Sequence, residues 1–146
     1  MIKFYLREFK DSDVDDMVIR DVYETSSKEI FLKLARSTAS FSIVSIKTQQ
    51  VVCSISVMQF FRRVAEISML CSNDFLSEKK DAIKFLRKGV DFVMDEFELD
   101  RVQCTIKASI PLAKKWISVL GFSEEGLMRK YGSDGSDHIL FAKVRG

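Results

Sequence analysis

Apolar and polar residues alternate along several stretches of the chain, and this alternation predicts β-strands. In the first stretch, from Ile2 to Phe9, Ile2, Phe4 and Leu6 share one face. Turn signals separate the later stretches, the strongest being the Gly- and Ser-rich run 132–136. The further predicted strands are Phe41–Ile46, Val51–Phe60, Val64–Cys71, Arg101–Lys107, 123–132 and 137–144.

Apolar residues at helical spacing predict the remaining elements. A long helix is expected from about Ser77 to Phe97, and a shorter one opens near Pro111 and ends at Gly121. Asp11-Ser12-Asp13 offers capping side chains for an earlier helix, and a second begins near Ser26 or Ser27. The aromatic residues expected in the core are Trp116, Phe85, Phe92 and Phe97.

The predicted order is β-α-α-β-β-β-α-β-α-β-β, in a single domain that covers residues 1–146. An antiparallel meander followed by a βαβ crossover gives a mixed, mostly antiparallel sheet flanked by helices. The fold class is therefore α+β. Hydrophobic residues form 47% of the chain, which is enough for a packed core.

Composition excludes several classes of function. The net charge of +2 is spread along the chain, which makes nucleic acid an unlikely partner. No apolar run is long enough for a membrane span and the N-terminus has no signal-peptide pattern, so we expect a soluble intracellular protein. One histidine and no CxxC pair argue against a metal site. His138 is expected at the surface or at a sheet edge, and buried free thiols are expected at Cys53, Cys71 and Cys104.

Three segments carry a resemblance to a known family: Ala65-Glu66-Ile67, the long helix, and Ala113 to Phe122 with its Leu-Gly-Phe stop. Nearly the whole chain resembles the GNAT N-acyltransferase fold. Trp116 ahead of that stop, with the Tyr-Gly-x-x-Gly turn from Tyr131, is similar to small GNAT-like proteins of tailed bacteriophages. The resemblance implies acetyl-coenzyme A (acetyl-CoA) as cofactor.

The resemblance also implies where the cofactor would bind. The pantetheine arm would pair with the strand end Met69, Leu70 and Cys71, and the pyrophosphate would meet the helix start. The family's loop falls on residues 77–82, where Ala82 matches, Lys80 replaces the first glycine and Ser77 replaces an arginine or glutamine. Lys79 or Lys80 could supply charge to the phosphates. Alternatively, this segment is a solvated first turn that binds nothing.

The acid and base are less clearly marked. The positions of the family's acid tyrosine and its asparagine hold Ile117 and Ile110, so Tyr131 and Ser109 are the remaining candidate acids. Glu66 is the candidate general base, taking a proton from an amine through water. The alternative for Glu66 is an exposed carboxylate paired with Arg62 or Arg63.

Two functions remain open. The first is an acetyl-CoA-dependent N-acyltransferase that moves an acetyl group to a small-molecule or protein amine by direct attack. The second is a catalytically inactive GNAT-fold phage protein that binds another protein, as a virion component or host-directed factor. Either would be expected in the cytoplasm, or in the virion if the protein is phage-encoded.

Overall fold

The computed structural model describes residues 2–15, 17, 32, 39–72, 75 and 78–146. The helix predicted from Ser26 or Ser27 lies outside these residues apart from the isolated position 32, and so does Ser77. Of the helix predicted after Asp13, the described residues show a short 3-10 helix, Asp11–Val14. Its side chains are arranged differently from the prediction, because the residue before the turn is Lys10 and the Asp13 carboxylate accepts from the Lys10 amide at 2.9 Å.

Seven strands form one sheet in the order β1-β2-β3-β4-β5-β7-β6. The pairs β1–β2, β2–β3, β5–β7 and β6–β7 are antiparallel, and β4–β5 is parallel. The predicted mixed sheet of an α+β fold is therefore confirmed. The strands are β1 Phe4–Glu8, β2 Ala39–Ser45, β3 Val51–Phe61, β4 Val64–Cys71, β5 Arg101–Lys107, β6 Ser123–Met128 and β7 His138–Val144.

Two helices follow β4 and β5: α1 Lys79–Glu96 and α2 Pro111–Val119. The end of α2 explains the predicted Gly121 stop. Gly121 has φ +99°, a conformation that glycine adopts without a Cβ penalty. Its amide bonds to the carbonyl of Ser118, and the Phe122 amide bonds to that of Ile117, which closes the helix end as a Schellman motif.

By its internal contacts the chain divides into two compact units. The first comprises Met1–Met58 and Ile67–Phe85, and the second Gln59–Glu66 and Leu86–Gly146. In the first unit, the ring of Phe4 packs edge-on against Phe75 and Phe85 at centroid distances of 5.1 and 5.7 Å.

The second unit holds the predicted aromatic core in modified form. Trp116 is 7% exposed, and Leu120 and Phe122 are also buried, as predicted. Phe92 was expected in this core but is 44% exposed. Phe92 was placed in the core because of its aromatic side chain, and its position on α1 leaves that side chain at the surface. The buried residues of α1 in this unit are Leu86, Val90, Val93 and Met94.

Candidate functional site

Parallel pairing of β4 with β5 places the candidate base beside an amide side chain. The ladder joins Val64–Glu66 to Arg101–Gln103, with Glu66 directly opposite Gln103. The Gln103 amide nitrogen donates to Glu66 Oε1 at 3.4 Å, the long end of the hydrogen-bond range. Sequence analysis did not single out Gln103. The polar alternation along β5 was its only signal, and the register with β4 cannot be deduced from that alternation.

Arg101 fixes the orientation of this amide. Its Nε donates to Gln103 Oε1 at 3.0 Å, so the amide oxygen faces Arg101 and the nitrogen faces Glu66. The guanidinium is held in turn by Glu125, which accepts two hydrogen bonds at 2.6 and 3.1 Å. A continuous chain of polar contacts therefore runs from Glu125 on β6 to Glu66 on β4.

The alternative partner expected for Glu66 is engaged elsewhere. Arg63 binds both carboxylate oxygens of Asp100, with NH2 to Oδ1 at 2.8 Å. The interpretation of Glu66 as the ion-pair partner of Arg63 is therefore wrong, while a pair with Arg62 stays a prediction. Glu66 is half-buried, and its hydrogen-bonding neighbour is the neutral Gln103.

Tyr131 lies in the loop between β6 and β7, which is anchored to the end of β5. Lys107 forms an ion pair with Asp134 at 2.8 Å, and the Ala108 amide donates to the Asp137 carbonyl at 2.9 Å. Hydrogen bonds from Lys107 and Ser136 hold the pKa of Asp134 well below its usual value. The sequence predicted a turn at 132–136, but the loop extends from residue 129 to 137 because β6 ends at Met128.

The environment of Tyr131 couples it to Glu66. Partial burial, and then the negative charge of Glu66, raise the pKa of Tyr131 above its ordinary value of 10.0. The phenol of Tyr131, whose side chain is 49% exposed, therefore stays protonated at neutral pH. Tyr131 and the candidate base Glu66 both belong to the second unit.

Two further side chains interact with Glu66 or Tyr131: Cys104 and His138. Burial, and then the Glu66 charge, raise the pKa of the Cys104 thiol to about 12. His138 packs its ring 5.5 Å from that of Tyr131. The expectation of a surface or edge histidine is wrong, because β7 lies between β5 and β6 and His138 is half-buried.

Ser109, the other candidate acid, is exposed in the turn between β5 and α2. In the described part of the chain it makes no hydrogen bond to Glu66 or Tyr131. Tyr131 is also exposed, at 49%, and differs from Ser109 in that the charge of Glu66 contributes to raising its pKa.

The residues expected to hold the cofactor lie in the first unit. Leu70 is fully buried, whereas Met69 and Cys71 are half-buried at the end of β4. At the start of α1, Ala82 is buried and its amide donates to the Glu78 carbonyl at 2.9 Å. That amide is already bonded within the helix, so Ala82 could contribute only its small size to a phosphate site.

Charge at the start of α1 is partly compensated. Asp81 forms an ion pair with Lys3 at 2.9 Å, and the hydrogen bond from Lys3 lowers the pKa of Asp81. Lys80 is exposed in the same turn. An anion approaching this turn would meet the Lys80 ammonium, and the repulsion from Asp81 would be offset by Lys3.

Among the residues that the structure describes, no group of three or more histidine, cysteine or acidic side chains could hold a metal ion. Within the same residues, no helix is long and apolar enough to cross a membrane.

No protein-family model and no curated protein sequence matches the chain. Solved structures, by contrast, match almost the whole chain. A GNAT-family acetyltransferase from Bacillus anthracis has a TM-score of 0.75 at 16% identity, covering 97% of this chain and 95% of that one. The ribosomal-protein-S5-alanine acetyltransferase from Vibrio fischeri gives 0.71 at 17%, covering 99% and 94%. A mutant spermidine N-acetyltransferase from Vibrio cholerae gives 0.72 at 13%, covering 98% and 94%. The chain therefore has the GNAT fold.

Proposed function

We propose that this chain is an acetyl-CoA-dependent N-acyltransferase that acts on an amine. The observation that supports this most directly is that the charge of Glu66 helps to raise the pKa of Tyr131, in a chain with the GNAT fold. Acyl transfer from a thioester to an amine needs a group that removes a proton from the attacking nitrogen and a group that protonates the leaving thiolate. A carboxylate and a neutral phenol provide these two functions.

Glu66 is the proposed base. Its carboxylate would take a proton from the amine through a water molecule, and the Gln103 amide would hold it in one orientation. Tyr131 is the proposed acid, because its raised pKa keeps the phenol protonated at neutral pH and so able to donate a proton to the thiolate as it departs. Ser109 is retained only as an alternative acid, since it makes no hydrogen bond to Glu66 or Tyr131 among the described residues.

The bound acetyl-CoA would supply an activated acyl thioester. The backbone of Met69, Leu70 and Cys71 would align its pantetheine arm. Lys79 and Lys80, with Ser77 and the small Ala82, would receive the pyrophosphate at the start of α1. The exposed Lys80 and the compensation of Asp81 by Lys3 support this assignment.

The acceptor class is an amine on a small molecule or a protein. Structures with this fold include a spermidine N-acetyltransferase and an acetyltransferase of a ribosomal-protein alanine, so both kinds of acceptor occur on it. The assay should offer the purified chain acetyl-CoA with a polyamine, and separately with a peptide that has a free N-terminus. Release of coenzyme A thiol and the mass of the acetylated acceptor would be measured.

Matched variants identify the acid and the base. We expect Glu66→Gln and Tyr131→Phe to lower the rate of acetyl transfer by about 10²-fold or more while acetyl-CoA affinity is kept. The controls are Glu96→Gln and Tyr5→Phe, both at exposed positions. Unchanged turnover in Glu66→Gln would refute the role of Glu66.

The runner-up function is protein binding by a GNAT-fold chain without catalysis, such as a phage virion component or host-directed factor. Two observations favour it: Lys80 stands where the family has a glycine, and the Ala82 amide is already bonded within the helix. Isothermal titration calorimetry separates the two functions. An absence of binding heat at millimolar acetyl-CoA would favour the binding protein.

A further inference from the structure

Two of the three cysteines lie side by side in the first unit. The sulfur atoms of Cys53 on β3 and Cys71 on β4 are 3.2 Å apart, although the residues are separated by 18 positions in sequence. Both are present as free thiols. Neither thiol has a part in the acid and base chemistry proposed above.

The backbone holds this pair in a geometry that a disulfide can adopt. The Ser72 amide donates to the Val52 carbonyl at 2.8 Å, which makes these two residues a hydrogen-bonded pair. In a regular antiparallel ladder this bond places Cys53 opposite Cys71 at a non-hydrogen-bonded position, in agreement with the 3.2 Å between their sulfur atoms. Cα atoms at such positions are about 4.5 Å apart, within the range of about 4.4–6.8 Å that disulfides span.

The geometry points to a reversible thiol–disulfide site formed by Cys53 and Cys71, with a low-molecular-weight disulfide such as oxidised glutathione as the oxidant. The site stands independently of the proposed acyltransferase activity. Cys71 also belongs to the strand end proposed to bind the pantetheine arm. An effect of oxidation on acetyl-CoA binding would therefore be expected only if the proposed acyltransferase function is correct.

Burial sets the order of the steps. Cys53 is 0% exposed, whereas Cys71 is half-buried and can meet a small oxidant. The Cys71 thiolate attacks one sulfur of oxidised glutathione, which forms a mixed disulfide and releases one glutathione thiol. Cys53 then loses its proton and attacks the Cys71 sulfur, releasing the second glutathione thiol. Two protein thiols are oxidised and one glutathione disulfide is reduced to two thiols.

The second step is expected to be the slow one. Burial, and then the hydrogen bond with Cys71, raise the pKa of the Cys53 thiol well above its ordinary value, so its thiolate is scarce at neutral pH. The mixed disulfide on Cys71 should therefore be detectable before the intramolecular disulfide forms, and the second step should be faster at higher pH.

The test uses the folded full chain in glutathione buffers from fully reduced to fully oxidised. After an acid quench, denaturation and alkylation, intact mass and peptide mapping report the state of each cysteine. We expect the loss of two hydrogen atoms and a cross-linked peptide joining Cys53 to Cys71. Cys104, buried on β5, should be recovered as the alkylated thiol. Both thiols remaining alkylatable in fully oxidised glutathione would overturn the proposal.

Single variants test the order of attack. Cys53→Ser should stop at a stable mixed disulfide on Cys71, seen as the added mass of one glutathione. Cys71→Ser should leave Cys53 unmodified in the folded protein. The matched control Cys104→Ser should form the disulfide as the wild type does. Glutathione recovered on Cys53 in the Cys71→Ser variant would contradict the assigned order, and a cross-link through Cys104 would overturn the assigned pair.

Discussion

At the scale of single residues, Asp13 in the first unit has the most fully satisfied charge among those described. Its side chain is 4% exposed, and Arg7 binds both of its oxygens at 2.8 and 2.9 Å. The Ser42 hydroxyl donates at 2.7 Å and the Lys10 amide at 2.9 Å. Burial alone would raise the pKa of Asp13, but these hydrogen bonds outweigh it and lower the pKa below 3.8.

Replacing this carboxylate should therefore be costly. Asp13→Asn turns one acceptor oxygen into an NH2 group facing donors and leaves Arg7 without its countercharge. We expect the free energy of unfolding to fall by roughly 3 kcal/mol in urea denaturation. Asp15→Asn, an exposed acid in the same segment, is the control and should change it by less than about 0.5 kcal/mol. If Asp13→Asn and Asp15→Asn lowered the free energy of unfolding equally, the hydrogen bonds of Asp13 would not contribute to stability as proposed.

The same carboxylate should contribute to acid sensitivity. Since its folded pKa lies below the unfolded value of 3.8, its stabilisation is fully present above 3.8 and is lost as pH falls through the folded pKa. The stability gap between wild type and Asp13→Asn should hence be constant from neutral pH to about pH 5 and narrow below it. Urea midpoints at a series of pH values would measure this. If the difference in stability between wild type and Asp13→Asn grew in acid, the pKa of Asp13 would have to be raised in the folded state, not lowered.

The coupling of Tyr131 to Glu66 can be measured without any enzymatic assay. Glu66→Gln removes the negative charge that helps to raise the phenol pKa, so the Tyr131 pKa should move down towards its ordinary value. The shift would be read from tyrosinate absorbance, with Tyr131→Phe identifying which titration belongs to this residue. Glu96→Gln should leave the titration unchanged. If the pKa of Tyr131 were unchanged in Glu66→Gln, the two residues would not interact electrostatically, and the main support for Tyr131 as the acid would be lost.

At the scale of elements, the end of α2 depends on one glycine. Gly121→Ala would put a Cβ on a residue with φ +99°, so we expect a loss of roughly 1–2 kcal/mol in the free energy of unfolding. Gly126→Ala is the control, because that glycine has no positive φ and no atom within 4 Å of an added Cβ. Chemical denaturation would compare the two variants. A neutral Gly121→Ala would mean that the helix end tolerates another conformation.

The buried face of α2 should contribute more to the free energy of unfolding than the glycine that ends the helix. Trp116→Ala removes a side chain that is 7% exposed, and we expect roughly 3–5 kcal/mol of destabilisation. Val119→Ala, on the same helix at 41% exposure, is the matched control and should cost less than about 1 kcal/mol. Thermal unfolding of both variants would check the difference.

Elements could be predicted from sequence where the pattern is local. The bounds of β4 and β5 match the prediction because strong alternation ends at clear turn residues. The loop 129–137 was underestimated, because it is held by contacts distant in sequence, such as Lys107 with Asp134. Gln103 and Arg101 were missed for the same reason, since only the register of β4 with β5 brings them to Glu66.

At the scale of the whole molecule, element order predicted the fold, since seven strands and their connections define few topologies. The roles of the candidate site residues were less predictable, because they depend on side-chain contacts between residues distant in sequence. Met69, Leu70 and Cys71, with Lys80 and Ala82, belong to the first unit, while Glu66, Ser109 and Tyr131 belong to the second. The likeness to solved structures shows the fold, whereas the roles of these residues stay proposals.

The last prediction concerns the cofactor. Acetyl-CoA should bind weakly, because Lys80 occupies a glycine position, and should raise the free energy of unfolding by about 1.4 kcal/mol at roughly tenfold the Kd. The Lys79→Ala, Lys80→Ala double variant should bind roughly threefold to tenfold more weakly, since two positive charges at the proposed phosphate site are lost. Lys88→Ala, exposed on the same helix, is the control. Isothermal titration calorimetry would measure the Kd for acetyl-CoA of the wild type, the double variant and the Lys88→Ala control. Tighter binding by the double variant would show that the lysines obstruct the phosphate site, and the first turn of α1 would then have to bind the pyrophosphate through its backbone alone.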